Sequence, residues 1–132
     1  MLQPEQFEPN EAWIAFRLND APLHTAADGD FDFFALMDAA SRLILGSATV
    51  SARDSQLSEG DARGLFDEVR AQAQALPVTL FVPDDMPAQG LAAEAHRLGI
   101  TVVGIPLDQL LGFIGEARQS FRERFGTGTG PA

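Results

Sequence analysis

Phe31-Asp-Phe-Phe-Ala-Leu-Met-Asp-Ala-Ala-Ser-Arg-Leu-Ile-Leu-Gly46 holds two apolar runs hinged at a polar turn. Phe31 to Met37 is apolar on both faces, the pattern of a strand buried at the centre of a sheet. Asp38-Ala-Ala-Ser41 supplies the turn, because Asp and Ser side chains bond to nearby backbone. Arg42 to Val50 is then a second strand, antiparallel to the first. Gly46 inside it marks a bulge or a close approach of another element. Upstream, Trp13-Ile-Ala-Phe-Arg-Leu18 sets Ile14, Phe16 and Leu18 against Trp13, Ala15 and Arg17, the period of two of a strand. Residues 19–30 carry Asn, Pro and Asp28-Gly29 and read as a loop or hairpin, with Thr25-Ala-Ala able to extend a strand. Three strands therefore come before residue 51.

Downstream the period changes. Ser58-Glu-Gly-Asp61 resembles a capping box, with Asp in place of Glu. Ala62, Leu65, Phe66, Val69, Ala73 and Leu76 then recur at helical spacing, and Pro77 ends the helix. Val78 to Val82 is a short uncharged buried strand. Asp84 or Asp85 is placed to cap the next helix, with Pro87 in its first turn. Leu91, Ala95 and Leu98 face inward, and Gly99 suits the position after the helix end. Ile100 to Ile105 is the last strand, and Pro106 opens a helix running through Phe125. The order is βββαβαβα: an α/β fold with a mixed five-stranded sheet and helices on its faces. Residues 1–12 read as a polar N-terminal arm, 13–125 as a single α/β domain and 126–132 as a flexible tail.

The chain has 132 residues, of which 45% are apolar and ten are Phe, enough for one domain with its own core. It has no cysteine, which excludes disulfides, thiolate metal sites and cysteine nucleophiles. All nine bases are Arg, and Ala is abundant, the mark of a GC-rich bacterial coding bias. The net charge is −10. Residues 1–38 hold eight acids against Arg17 alone. Such a field repels phosphate backbones, so nucleic acid is not an expected partner. The N-terminus lacks a basic region followed by an apolar run, and no stretch approaches the roughly 20 apolar residues of a membrane span. The expected setting is the cytoplasm, with no membrane partner.

The element order, together with Asp38-Ala-Ala-Ser-Arg-Leu-Ile-Leu-Gly46 across the hairpin, resembles the RNase H-like superfamily, which includes integrase and transposase catalytic cores. The resemblance spans about residues 13–125. It implies clustered carboxylates that hold two divalent ions for phosphoryl transfer. By that resemblance one Asp belongs midway along the first strand, a second just after the fourth strand and a further acid on the last helix. Asp84 or Asp85 matches the second by position. Glu116 matches the third, and Glu59 or Asp61 can stand for an acid of the first helix. Trp13 to Leu18 holds no carboxylate, and Asp20 lies beyond its end. The missing acid implies a degenerate member of the superfamily, without the metal-binding constellation.

The other candidates divide between chemistry and structure. Asp84 and Asp85 follow a buried strand, where ligands bind in open α/β sheets, and can hold Mg²⁺ or Mn²⁺ through water; a helix N-cap with a first-turn acid is the favoured reading. Asp38, Ser41 and Arg42 form either a polar cluster or a turn. His24 and His96 have no partner at metal spacing. No Gly-x-Ser-x-Gly elbow and no phosphate-binding glycine pattern occurs. On the last helix Leu107, Leu110, Leu111, Ile114, Ala117, Phe121 and Phe125 form one stripe. Arg118 falls inside it and must pair or reach the edge. Phe121 and Phe125, with Arg118, are the expected contact with a second copy. Arg118, Arg122 and Arg124 can touch phosphate, but Glu116 and Glu123 dilute them. These readings favour a non-catalytic interaction or regulatory domain, homodimeric, without cofactor and with an unidentified protein partner. The alternatives are a metal-dependent nuclease or phosphotransfer enzyme using Asp84 and Asp85, and a small-molecule-binding domain with its crevice near Pro83 and Pro106.

Overall fold

Six strands form one sheet: β1 (Ala12–Arg17), β2 (Leu23–Thr25), β3 (Gly29–Asp38), β4 (Ile44–Ser51), β5 (Thr79–Pro83) and β6 (Thr101–Ile105). The described residues also form a short 3-10 helix (Pro4–Gln6) and three α-helices: α1 (Glu59–Ala73), α2 (Gln89–Arg97) and α3 (Leu107–Phe125). This computed structural model describes residues 2–19, 23–25, 29–51, 53, 54 and 56–125, with residues 23–25 and Phe125 described in backbone only. The expected turn at Asp28, the acid Asp20, the extension at Ala26-Ala27, the His24 and Phe125 side chains and the tail 126–132 lie outside what is described.

The meander is present. β3 pairs antiparallel with β1 from Trp13↔Asp38 to Arg17↔Phe34, and with β4 from Phe31↔Ser51 to Met37↔Ile44. β5 pairs parallel with β1 and with β6. β2 is an addition to the expected order: it pairs with β3 at Leu23↔Phe31 to Thr25↔Gly29. Because β4 occupies the other edge of β3 over that stretch, β2 continues the line of β1. Six strands thus make a mixed sheet five positions wide. The break follows from Asn19, whose side-chain oxygen accepts from Phe33 N at 2.8 Å in place of a backbone carbonyl.

Alternation along β1 and β3 fills two cores. Trp13, Ala15, Phe34 and Leu36 face α1 and α2. Ile14, Phe16, Ala35 and Met37 face α3 through Leu110, Phe113 and Ile114. Each large side chain removed from water contributes roughly 1.5–3 kcal/mol, so β1, buried on both faces, organises both layers. The N-terminal residues are not a loose arm. Phe7 packs edge-on against Phe81 and Phe113, with centroids 5.8 and 6.2 Å away, and Leu2 joins the same core. Polar spacing in the sequence concealed these two apolar anchors.

The caps correct one expectation. Ser58 caps α1 as expected, accepting from Asp61 N at 3.1 Å. Asp84 and Asp85 do not cap α2. They occupy a turn closed by Met86 N on the Pro83 carbonyl at 3.1 Å, and α2 begins only at Gln89, leaving Pro87 outside the helix. Its N-cap, Ala88, has no capping side chain. Instead Gln56 reaches across, its Oε1 accepting from Gln89 N at 2.6 Å and Gly90 N at 3.4 Å. Gly90 permits the approach, because a Cβ there would meet the Leu57 carbonyl oxygen at 2.5 Å. Gly99, at φ +81°, follows the end of α2 as expected.

Gly46 satisfies both expectations made of it. The ladder slips between Leu36↔Gly46 and Met37↔Ile44, a bulge, and a Cβ on Gly46 would lie 2.6 Å from Val69 Cγ2 and 3.2 Å from Leu65 Cδ1. Gly46→Val should therefore push α1 off the sheet and lower stability by about 1–3 kcal/mol in urea unfolding, the cost of an overpacked core. An unchanged midpoint would mean that β4 and α1 do not meet this closely.

Candidate functional site

Asp84 and Asp85 are exposed at the C-terminal end of β5, where the Asp84 amide donates to the Ile105 carbonyl at 2.8 Å. The neighbouring strand β1 offers no carboxylate, since its residues are Ala-Trp-Ile-Ala-Phe-Arg. Register separates the remaining acid. Trp13 opposes Asp38, so the β3–β4 hairpin lies beside the start of β1, and Asp84 lies at the opposite end of the sheet. Glu116 faces the hairpin through Arg42, at 3.8 Å. Glu59 and Asp61 are exposed in the first turn of α1. Among the described residues no group of three or more His, Cys, Asp or Glu side chains could hold a metal ion. The described residues therefore do not fit a two-metal centre.

Asp38 and Ser41 build a turn. Asp38 Oδ2 accepts from Ser41 Oγ at 2.7 Å and from Ser41 N at 3.2 Å, and its Oδ1 accepts from Asn10 N at 2.9 Å. This clamp holds Arg42 at φ +63°, a conformation that few residues other than glycine adopt. Asn10 also accepts from Trp13 Nε1 at 3.0 Å, tying the hairpin to the central strand.

The stripe on α3 turns inward further than expected. Phe121 is 8% exposed and packs against Phe33 with centroids 5.3 Å apart. Arg118 is paired, through Nε and Nη2, with the Arg17 carbonyl at 3.0 and 2.9 Å. Two charge-assisted bonds there satisfy backbone at the end of β1. Among the described residues the large apolar side chains that remain exposed are Leu43, Ile44, Val78 and Leu111.

Two buried polar arrangements escaped the sequence. Asn19 Nδ2 donates to Asp32 Oδ1 at 3.1 Å, both residues being buried. The acid inside Phe31-Asp-Phe-Phe was the available signal. Glu94 is 3% exposed and accepts from Arg97, on its own helix, and from Arg63 Nε on α1 at 3.5 Å. Only the spacing of three between Glu94 and Arg97 was visible beforehand.

No protein-family model matches this sequence, and neither does any curated protein. Solved structures do. The simian T-cell lymphotropic virus intasome in complex with PP2A regulatory subunit B56 gamma contains a chain matched at TM-score 0.60 and 12% identity over 89% of this chain. The present chain spans 40% of that one. The HTLV-2 integrase catalytic core domain, in complex with magnesium in a dimeric form, matches at TM-score 0.52 and 11% identity, over 85% of this chain and 84% of that one. The catalytic core of BIV integrase matches at TM-score 0.54 and 14% identity, over 93% and 74%. The fold is RNase H-like. At these identities the likeness extends to the fold, and the residues of the site must be judged by their own geometry.

Glu94 gives a pH test of the α1–α2 contact. Its carboxyl is held below the ordinary value of 4.5, first by the Arg97 hydrogen bond and against the opposing effect of burial. A depressed carboxylate contributes stability that is complete above its unfolded pKa and is lost as pH falls through the folded value. Glu94→Gln should melt below wild type at neutral pH, with the gap closing as pH falls through the lowered folded value. A gap that persists in acid would assign the effect to packing.

Proposed function

We infer that this chain is a non-catalytic interaction or regulatory domain on an RNase H-like scaffold. The observation that carries this is the composition of β1. The central strand places Trp13 and Ala15 in one core and Ile14 and Phe16 in the other, leaving no acid where the resemblance calls for one. Asp84 and Asp85 stand exposed at a strand end without a third described ligand. Chemistry that depends on two bridged ions has no frame in the described residues. No described helix is long and apolar enough to cross a membrane.

The rival is a divalent-metal nuclease or phosphotransfer enzyme, which the magnesium complex of the HTLV-2 core makes worth testing. Calorimetric titration with Mg²⁺ and Mn²⁺, on wild type and on Asp84→Asn/Asp85→Asn, separates the two. The expected outcome is no saturable binding in either protein. Saturable binding that the double variant loses would overturn the non-catalytic reading.

Self-association is part of the same proposal, but on a different surface from the α3 stripe. Among the described residues β4 pairs on one side only, with β3, and Ile-Leu-Gly-Ser-Ala-Thr-Val-Ser carries neither charge nor proline. Natural edge strands are ordinarily blunted by such residues, and an unguarded edge invites another strand. Two copies can meet there antiparallel about a two-fold axis. Sedimentation velocity should find a dimer for wild type and a monomer for Thr49→Lys. A wild type that stays monomeric at high concentration would remove self-association and leave the non-catalytic assignment standing.

A further inference from the structure

Between the C-terminal half of α3 and the β3–β4 hairpin lies an open groove of about 520 Å³. Its apolar lining includes Phe33, Met37 and Phe121. Polar groups stand on both walls: Arg42 and Ser47 from the hairpin and β4, and Glu116, Ser120 and Arg124 from α3, two guanidiniums to one carboxylate. Ser47, Ser120 and Arg124 are exposed. An apolar cleft of this size with a few convergent polar groups has the anatomy of a small-molecule site.

Charge decides what such a site would hold. The chain carries nineteen acids against nine Arg, yet two guanidiniums border this groove. Arg124 has no ion-pair or hydrogen-bond partner among the described residues. Arg42 has only Glu116 at 3.8 Å, a long contact between side chains that are 43% and 81% exposed. Solvent screens such a pair strongly, so it offers little resistance to an incoming anion. Arg42 is also fixed at its unusual φ by the Asp38 clamp, which sets the start of its side chain beside the groove. A guanidinium recognises a carboxylate through two parallel hydrogen bonds, and the aromatic lining suits an apolar body.

We propose that the α3–β4 groove binds a small amphipathic carboxylate, its acid held by Arg42 and Arg124 and its apolar body laid on Phe33 and Phe121. The site lies away from Asp84 and Asp85. The proposal deepens the non-catalytic reading, on which it rests for its meaning: a ligand in this groove would give the domain something to sense. A carboxylate bound here would also lie beside Leu43 and Ile44, at the start of the edge strand β4.

Three probes with one body and different heads test it by calorimetry: 4-phenylbutyrate, 4-phenylbutan-1-ol and 4-phenylbutylamine. Wild type should bind 4-phenylbutyrate saturably, the alcohol about tenfold more weakly and the amine not at all, the tenfold step being that of one charge-assisted hydrogen bond. Arg42→Gln/Arg124→Gln should lower butyrate affinity at least to that of the alcohol. Ser120→Phe, which fills the groove from an exposed helix position, should abolish binding while circular dichroism stays unchanged. No saturable binding of 4-phenylbutyrate, equal affinity for acid and alcohol, or binding that survives Ser120→Phe would each overturn the proposal. None of these results bears on the metal titration, so failure of the groove and failure of the non-catalytic reading are told apart.

Discussion

Burial of β1 from Ala12 to Phe16 is the constraint on which the rest of the molecule depends. The strand is paired on both edges, by β3 and β5, and covered on both faces. Its odd and even side chains therefore belong to different cores. Trp13 stacks on Phe66 of α1 with centroids 6.4 Å apart, and Ile14 and Phe16 meet α3. A charged side chain at any of these positions would have to be desolvated beside apolar neighbours. The same packing that stabilises the sheet thus fills with apolar side chains the strand on which the RNase H-like resemblance implies a carboxylate.

A second constraint operates where strands end. Backbone groups leaving a sheet must find partners, and here distant side chains provide them. Arg118 bonds the Arg17 carbonyl, Asn19 accepts from Phe33 N, and Asn10 links the β3–β4 turn to Trp13 through Asp38. These contacts tie α3 to the end of β1 and the β3–β4 hairpin to its start. The groove between them is a consequence of that placement, because α3 leaves β4 partly uncovered while bringing Ser120 and Arg124 opposite Arg42 and Ser47.

Legibility in the sequence varied by residue. Phe31 to Met37 and Trp13 to Leu18 declared their strands through apolar pattern alone, and Gly46 and Gly99 declared a close approach and a helix end. Asp84 and Asp85 misled, because an acid before a helix is the ordinary signature of a cap, whereas Gln56 takes that role from 33 residues away. Phe7 was hidden among polar residues, yet its ring closes the α3 face. Phe121 was legible as part of the α3 stripe, but its packing on Phe33, 88 residues earlier, was not. Nothing in the sequence marked Glu94, and Arg63, 31 residues earlier, makes it an interhelical anchor.

The sequence by itself determined the order of elements and the faces they bury, because hydrophobic periodicity is a local property written within each segment. It also determined that β1 carries no acid. The tertiary structure alone decided the break between β1 and β2, the capping of α2, the partner of Arg118 and the meeting of Arg42 with Arg124 across an apolar groove. Those outcomes rest on groups up to 101 residues apart in the chain. Short-range spacing holds no record of such pairings, since they are set by where packing of the sheet and helices brings polar groups into reach of one another.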